Sequence, residues 1–213
     1  MNDIAIKSTN FKHIDKLVII LHGYGNSGSD YIKIGKTFLT PNIDNAVFLF
    51  PDAPTPCATW TGQQWFPLSL ENMSFEEIRN GLDQAAPHLC KYIETKSQEF
   101  RCNNVCLVGI SQGAIMALEM MYYTKIFKIV VCCGLFAPNS YKKNRSTPDI
   151  LLIHSVDDNI IPYKKALLAK SDLEKMELKV SLHTCHNIRH SISKEGWQIG
   201  AEFLNEYNNI QNL

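Results

Sequence analysis

A chain of 213 residues is long enough for one domain with a substantial core and hardly enough for two. It is 45% hydrophobic and 20% charged, and Lys plus Arg balance Asp plus Glu at 21 each. That balance argues against a basic nucleic-acid binder, and no charge block marks a binding tail.

The opening "MNDIAIKSTN" lacks the basic start and apolar stretch of a secretory signal. No run reaches the roughly 18 apolar residues of a spanning helix, so no stable membrane insertion is expected. "KLVIILHG" (16–23) and "AVFLFP" (46–51) are the first predicted strands, separated by a helix over 30–39. Residues 51–73, "PDAPTPCATWTGQQWFPLSLENM", hold four prolines and two tryptophans and show no helical period. Long irregular segments in compact domains are functional or disordered, and the aromatic content places this one over the active face as a fixed loop. A helix over 74–98 follows, with Ser74 ahead of Glu76 and Glu77 at its start and a kink or restart at Pro87.

Strands are predicted at 104–110, 128–136, 149–155 and 178–184, with helices at 112–123, 162–176 and 192–208. The strand runs are continuously apolar, as in a parallel sheet buried on both faces. The alternation implies an α/β fold with helices on both sides, in a single domain over 1–213. Seven cysteines, with Cys106, Cys132 and Cys133 inside apolar runs, read as buried free thiols in a reducing, cytoplasmic setting.

The chemistry concentrates at three strand ends. "GISQG" (109–113) fits the G-x-S-x-G elbow, a strand-to-helix turn so tight that side chains at Gly109 and Gly113 would crowd it. It presents Ser111 beside a helix N-terminus, where developing negative charge is favoured. A serine hydroxyl needs a base, and in this architecture an acid and then a histidine follow. "VDDNIIP" offers Asp157 or Asp158, and "CHNIRHS" offers His186 or His190. Asp158 is favoured because Pro162 fixes its loop and opens the next helix, leaving Asp157 as a turn or helix-entry residue. His190 is favoured because it immediately precedes the last helix, leaving His186 as a loop residue.

The run His183, Cys185, His186 and His190 has metal-ligand residue types, but the set is split between strand and loop and no C-x-x-C occurs; no metal is expected. An oxyanion is expected to meet the N–H of Gln112 and, from the glycine-rich "LHGYGNSGSD", the N–H of Tyr24.

Four motifs, "LHGYGNSG", "GISQGA", "DDNIIP" and "RHSIS", together resemble the phospholipase/carboxylesterase family of small α/β-hydrolases, over roughly residues 16 to 207. The resemblance implies a mainly parallel sheet with helices on both faces and no large lid domain. It also implies a triad of Ser111, Asp158 and His190, an oxyanion hole at Tyr24 and Gln112, and no cofactor. Two departures stand out. Pro67 follows Trp65 and Phe66 where thioesterase-like members often carry an acid, which puts a thioesterase preference in doubt. Arg189 precedes His190 where a glycine is usual, setting a cation near the base. The expected activity is that of a serine hydrolase cleaving carboxylic esters, or acyl thioesters, in a small-molecule ester or acylated substrate, with lysophospholipase, acyl-protein thioesterase or acyltransferase activity as alternatives and a non-catalytic binding protein as a remote one. Trp60, Trp65, Phe66 and Leu68 either line an acyl groove or pack the long loop onto the body. No feature demands a dimer over a monomer.

Overall fold

The computed structural model describes residues 1–58, 61–68 and 74–206. In chain order the strands are β1 (Asp3–Lys7), β2 (Lys16–Leu21), β3 (Ala46–Pro51), β4 (Thr55–Pro56), β5 (Gln63–Gln64), β6 (Val105–Ile110), β7 (Lys128–Cys132), β8 (Asp149–Ser155) and β9 (Val180–Cys185). The helices are α1 (Ile32–Ile34), α2 (Phe75–Glu99), α3 (Gln112–Glu119), α4 (Lys164–Lys175) and α5 (Lys194–Asn205). Seven strands form one sheet in the order β1-β3-β2-β6-β7-β8-β9, and all pairs are parallel except β1 with β3.

The continuous apolar runs are explained by burial on both faces. Along β2, Leu17, Ile19 and Leu21 pack with Ile78, Leu82 and Leu89 of α2 and with α3, whereas Val18 and Ile20 join Trp197, Ala201 and Leu204 of α5 on the opposite face. Helices therefore cover both sides of the sheet. All eight residues of α3 are buried, as its nearly all-apolar sequence implies. No helix among the described residues is long and apolar enough to cross a membrane.

The boundaries deviate from expectation for identifiable reasons. β7 stops at Cys132 rather than residue 136 because Cys133 takes φ 49°, outside extended geometry. The helix expected over 30–39 is instead a 3₁₀ turn (Gly28–Tyr31), the short α1 and a π turn (Gly35–Leu39). Packing of Leu39 and Ile43 against Phe48 and Phe50 prevails there over regular helical spacing. α2 runs unbroken through Pro87, with Ser74 as its cap accepting a hydrogen bond from Glu77 N at 3.1 Å. β1 has no counterpart among the predicted strands, since a half-exposed antiparallel edge needs only the weak alternation of Ile4 and Ile6. Within the long loop, β4 and β5 pair as a short antiparallel ribbon, and Asn26 bridges to Gln63. All seven cysteines are free, and Cys102, Cys106, Cys132, Cys133 and Cys185 are buried.

Candidate active site

Ser111 sits between the end of β6 and the start of α3 with φ 52° and ψ −113°, a strained conformation for a residue with a side chain. The two glycines around it are sterically required. A Cβ on Gly109 would lie 2.4 Å from Ala114 Cα, and one on Gly113 would lie 2.1 Å from Leu21 O. The turn is fixed by Ser111 N donating to Cys132 O on β7 at 2.9 Å.

His190 Nε2 lies 3.0 Å from Ser111 Oγ. Its Nδ1 lies 2.8 and 2.9 Å from the two carboxylate oxygens of Asp158. Hydroxyl, imidazole and carboxylate from three strand ends therefore form one continuous hydrogen-bonded line. Asp158 is inaccessible at its side chain, while that of His190 keeps 22% exposure towards the outside. Asp158 Oδ1 also accepts from Ile160 N at 2.9 Å and Ile161 N at 2.8 Å. Burial pushes the Asp158 carboxyl up, but donors from His154, His190 and the Ile161 and Ile160 amides outweigh it and hold the group well below the usual carboxylate range.

The rejected alternatives have other places. Asp157 accepts a hydrogen bond from Asn187 N and thereby pins the loop that carries His190. His186 is exposed in that loop, and His183 and Cys185 lie on β9. Cys133, read from the sequence as core, is buried but sits beside the line: one ligand-type atom each of Cys133, Asp158 and His190 falls within 4.8 Å of the others. The imidazole and carboxylate already touch at 2.8 Å, leaving no gap for an ion about 2 Å from each donor. Burial, with the Asp158 charge adding to it, pushes the Cys133 thiol up to about 12, away from the thiolate that a metal needs.

Around the proposed oxyanion donors, the structure adds contacts absent from the sequence reading. Gln112 is at the first turn of α3, where amides lack intrahelical acceptors. Its side chain is buried and spans two segments, Oε1 accepting from Trp65 N at 2.9 Å and Nε2 donating to Phe66 O at 2.7 Å. Trp65 Nε1 donates to His22 O at 2.8 Å. His22 is buried, with Nδ1 donating to Gly23 O at 2.8 Å and Nε2 accepting from Ala53 N at 2.9 Å, which fixes its tautomer. Burial lowers its proton affinity, only partly offset by the Gly23 carbonyl. This clamp ties the Tyr24 loop, the Pro-rich loop and the start of α3 together. A buried histidine beside a glycine turn, in "LHG", was the available signal.

Of the aromatic candidates, Trp65 and Phe66 are 2% and 1% exposed, so most of each ring is packed into the core, and what remains uncovered borders a groove. Leu68 is half-buried against the same core cluster, and Trp60 lies outside the described residues. A groove of about 520 Å³ between α2 and the long loop includes Trp65, Phe66, Pro54 and Tyr92 in its lining, but not Ser111, Asp158 or His190. It lies beside the hydrogen-bonded line, not on it.

Known proteins resemble this chain over nearly its whole length. The sequence profile of the Phospholipase/Carboxylesterase family matches residues 1–208. Esterase YpfH of Escherichia coli (strain K12) is 26% identical over 201 residues, covering 91% of this chain and 83% of that protein. Acyl-protein thioesterase 1 homolog 1 of Dictyostelium discoideum is 23% identical over 209 residues, covering 89% of each. The crystal structure of esterase PE8 superposes with a TM-score of 0.87 at 27% identity, over 94% of this chain and 96% of that one. The mainly parallel sheet, with helices and no large lid, is the α/β-hydrolase fold. The chain belongs to the Phospholipase/Carboxylesterase family and is an esterase-type hydrolase.

Proposed function

We propose that the protein cleaves carboxylic esters, and acyl thioesters of similar shape, through a Ser111–His190–Asp158 triad and an acyl-enzyme. The observation that carries this reading is the unbroken line from Ser111 Oγ through His190 to Asp158, starting at a strained elbow. His190 Nε2 takes the Ser111 proton as Oγ attacks the acyl carbon. Asp158 stays ionised, holds Nδ1–H in place and stabilises the imidazolium. The amides of Tyr24 and Gln112 receive the oxyanion, a type of interaction whose loss costs about 10²–10³ in rate. His190 then returns the proton to the leaving alcohol, or assists departure of a thiol. Water activated by the same imidazole releases the acid, and no cofactor enters.

The relatives named esterase and acyl-protein thioesterase set the range of acyl donors worth testing. The substrate is a small acylated molecule, and the buried free thiols suit a reducing, cytoplasmic setting. One sheet carries all three triad residues, in keeping with a single catalytic domain.

The test uses p-nitrophenyl esters of increasing chain length, a palmitoyl thioester and a fluorophosphonate probe. Wild type turns over at least the short esters and is labelled. Ser111→Ala, with its fold intact, loses both. Equal turnover by the two proteins contradicts the reading.

A further inference from the structure

The strand that leads to Asp158 holds a second histidine, which the proton relay does not use. His154 is the penultimate residue of β8 and is 2% exposed. Its Nε2 lies 2.8 Å from Ile161 O and 3.1 Å from Asp158 Oδ2. Both neighbours are acceptors when the carboxylate is ionised, so this nitrogen carries a hydrogen. The contact to Ile161 O is the shorter, and Oδ2 flanks the same N–H.

Ile161 closes the circuit. Its carbonyl accepts from His154 while its amide donates to Asp158 Oδ1 at 2.8 Å. His154, the Ile161 peptide groups and the Asp158 carboxylate therefore form a ring, and His190 hangs from its outer side. The two carboxylate oxygens are held unequally. Oδ1 has the Ile160 and Ile161 amides as well as His190, whereas the close side-chain donors to Oδ2 are His190 and His154. The ring is braced from outside: the Tyr163 ring stands edge-on to His154 at 6.0 Å. Tyr163 Oη hydrogen-bonds Thr184 Oγ1 at 2.6 Å, and Thr184 is the β9 residue in register with His154.

We propose that His154 is a positioning residue for the triad: by fixing the Ile161 carbonyl and flanking Oδ2, it sets the plane of the Asp158 carboxylate and so the aim of His190 at Ser111. This rests on the triad reading above. Without His154 the Ile161 carbonyl and Oδ2 each lose a donor, and the carboxylate that directs the imidazole is less firmly held. His154 is 2% exposed and so offers a substrate no surface to touch, which places the effect on the chemical step.

The experiment measures kcat and KM separately for ester hydrolysis by wild type, His154→Leu and His154→Gln, with thermal midpoints for all three. The Leu variant loses about 10–100-fold in kcat, the scale of a small misalignment of reacting groups, while KM changes little. The Gln variant, whose amide nitrogen reaches the position of Nε2, recovers most of that loss. If the Leu variant does not fold, His154→Asn replaces it, since its amide stops short of Ile161 O. Wild-type kcat in the variant that lacks the donor, or equal losses in that variant and Gln, overturns the proposal. Ser111→Ala run in parallel separates the two claims. Activity in Ser111→Ala sinks the triad itself, whereas an inactive Ser111→Ala beside an undiminished His154 variant sinks only the role of His154.

Discussion

Backbone strain is concentrated where the chemistry is proposed. Among the described residues, seven that are not glycine have positive φ. Asn45 and Asn187 are asparagines, which tolerate the left-handed region, and Arg101 and Glu177 follow the ends of α2 and α4. The other three, Ser111, Cys133 and Arg189, all lie at or beside the hydrogen-bonded line. At Arg189, φ is 53°, a conformation that glycine takes without steric cost, which gives a physical reason for the glycine usual at that position. Arg189→Gly is therefore expected to stabilise the fold by up to about 1 kcal/mol in urea unfolding, and a destabilised variant would show that the side chain does more than tolerate its backbone. That Ser111, Asp158 and His190 come together was legible in the sequence because each follows a strand end. His154 and His22 were not, because each lies in or at the end of an apolar strand and its partners are distant in sequence.

At the scale of elements, the sequence reading recovered the buried strands and the long helices, where apolar runs and periodicity dominate. It missed what tertiary contacts decide: the β1 edge, the irregular turns over 28–39 and the Gln112 clamp. A further unforeseen tie joins α2 to α3. Arg79 Nη2 lies 2.6 Å from Glu119 Oε1 at the buried end of α3, and Nη1 donates to Ala137 O at 2.9 Å. Burial raises the Glu119 carboxyl, with Arg79 opposing that rise. Arg79→Met removes the cation and leaves a buried acid unpaired, and is expected to cost about 3–5 kcal/mol in urea unfolding. Arg79→Met with Glu119→Gln is expected to recover part of that loss; a single variant as stable as wild type contradicts the tie.

For the whole molecule, His22 and Asp158 pull the response to acid in one direction, while Glu119, raised by burial, pulls against them. His22 is held below its ordinary value by burial. Asp158 is held below its own by donors that overcome burial. Each folded pKa lies under the unfolded one, so the unfolded chain binds more protons and stability rises with pH. The His22 contribution is complete above its unfolded value of about 6.5 and erodes below it, while that of Asp158 erodes only below about 4. Urea midpoints are therefore expected to fall between about pH 7.5 and about pH 5, and His22→Gln is expected to shrink that fall. An unchanged difference in the variant would remove His22 as its source. The global arrangement was readable because three motifs had to meet at one sheet edge. The seating of Trp65 and Phe66 was not, since only their tertiary contacts reveal a pair packed into the core at the edge of a groove.

The acyl-enzyme offers the most direct test. Wild-type protein mixed with a p-nitrophenyl ester, quenched in acid within the first turnover and analysed by mass spectrometry is expected to gain one acyl group on the peptide containing Ser111. Turnover of the ester with no such adduct, or with the acyl group on a peptide lacking Ser111, would contradict attack by that hydroxyl.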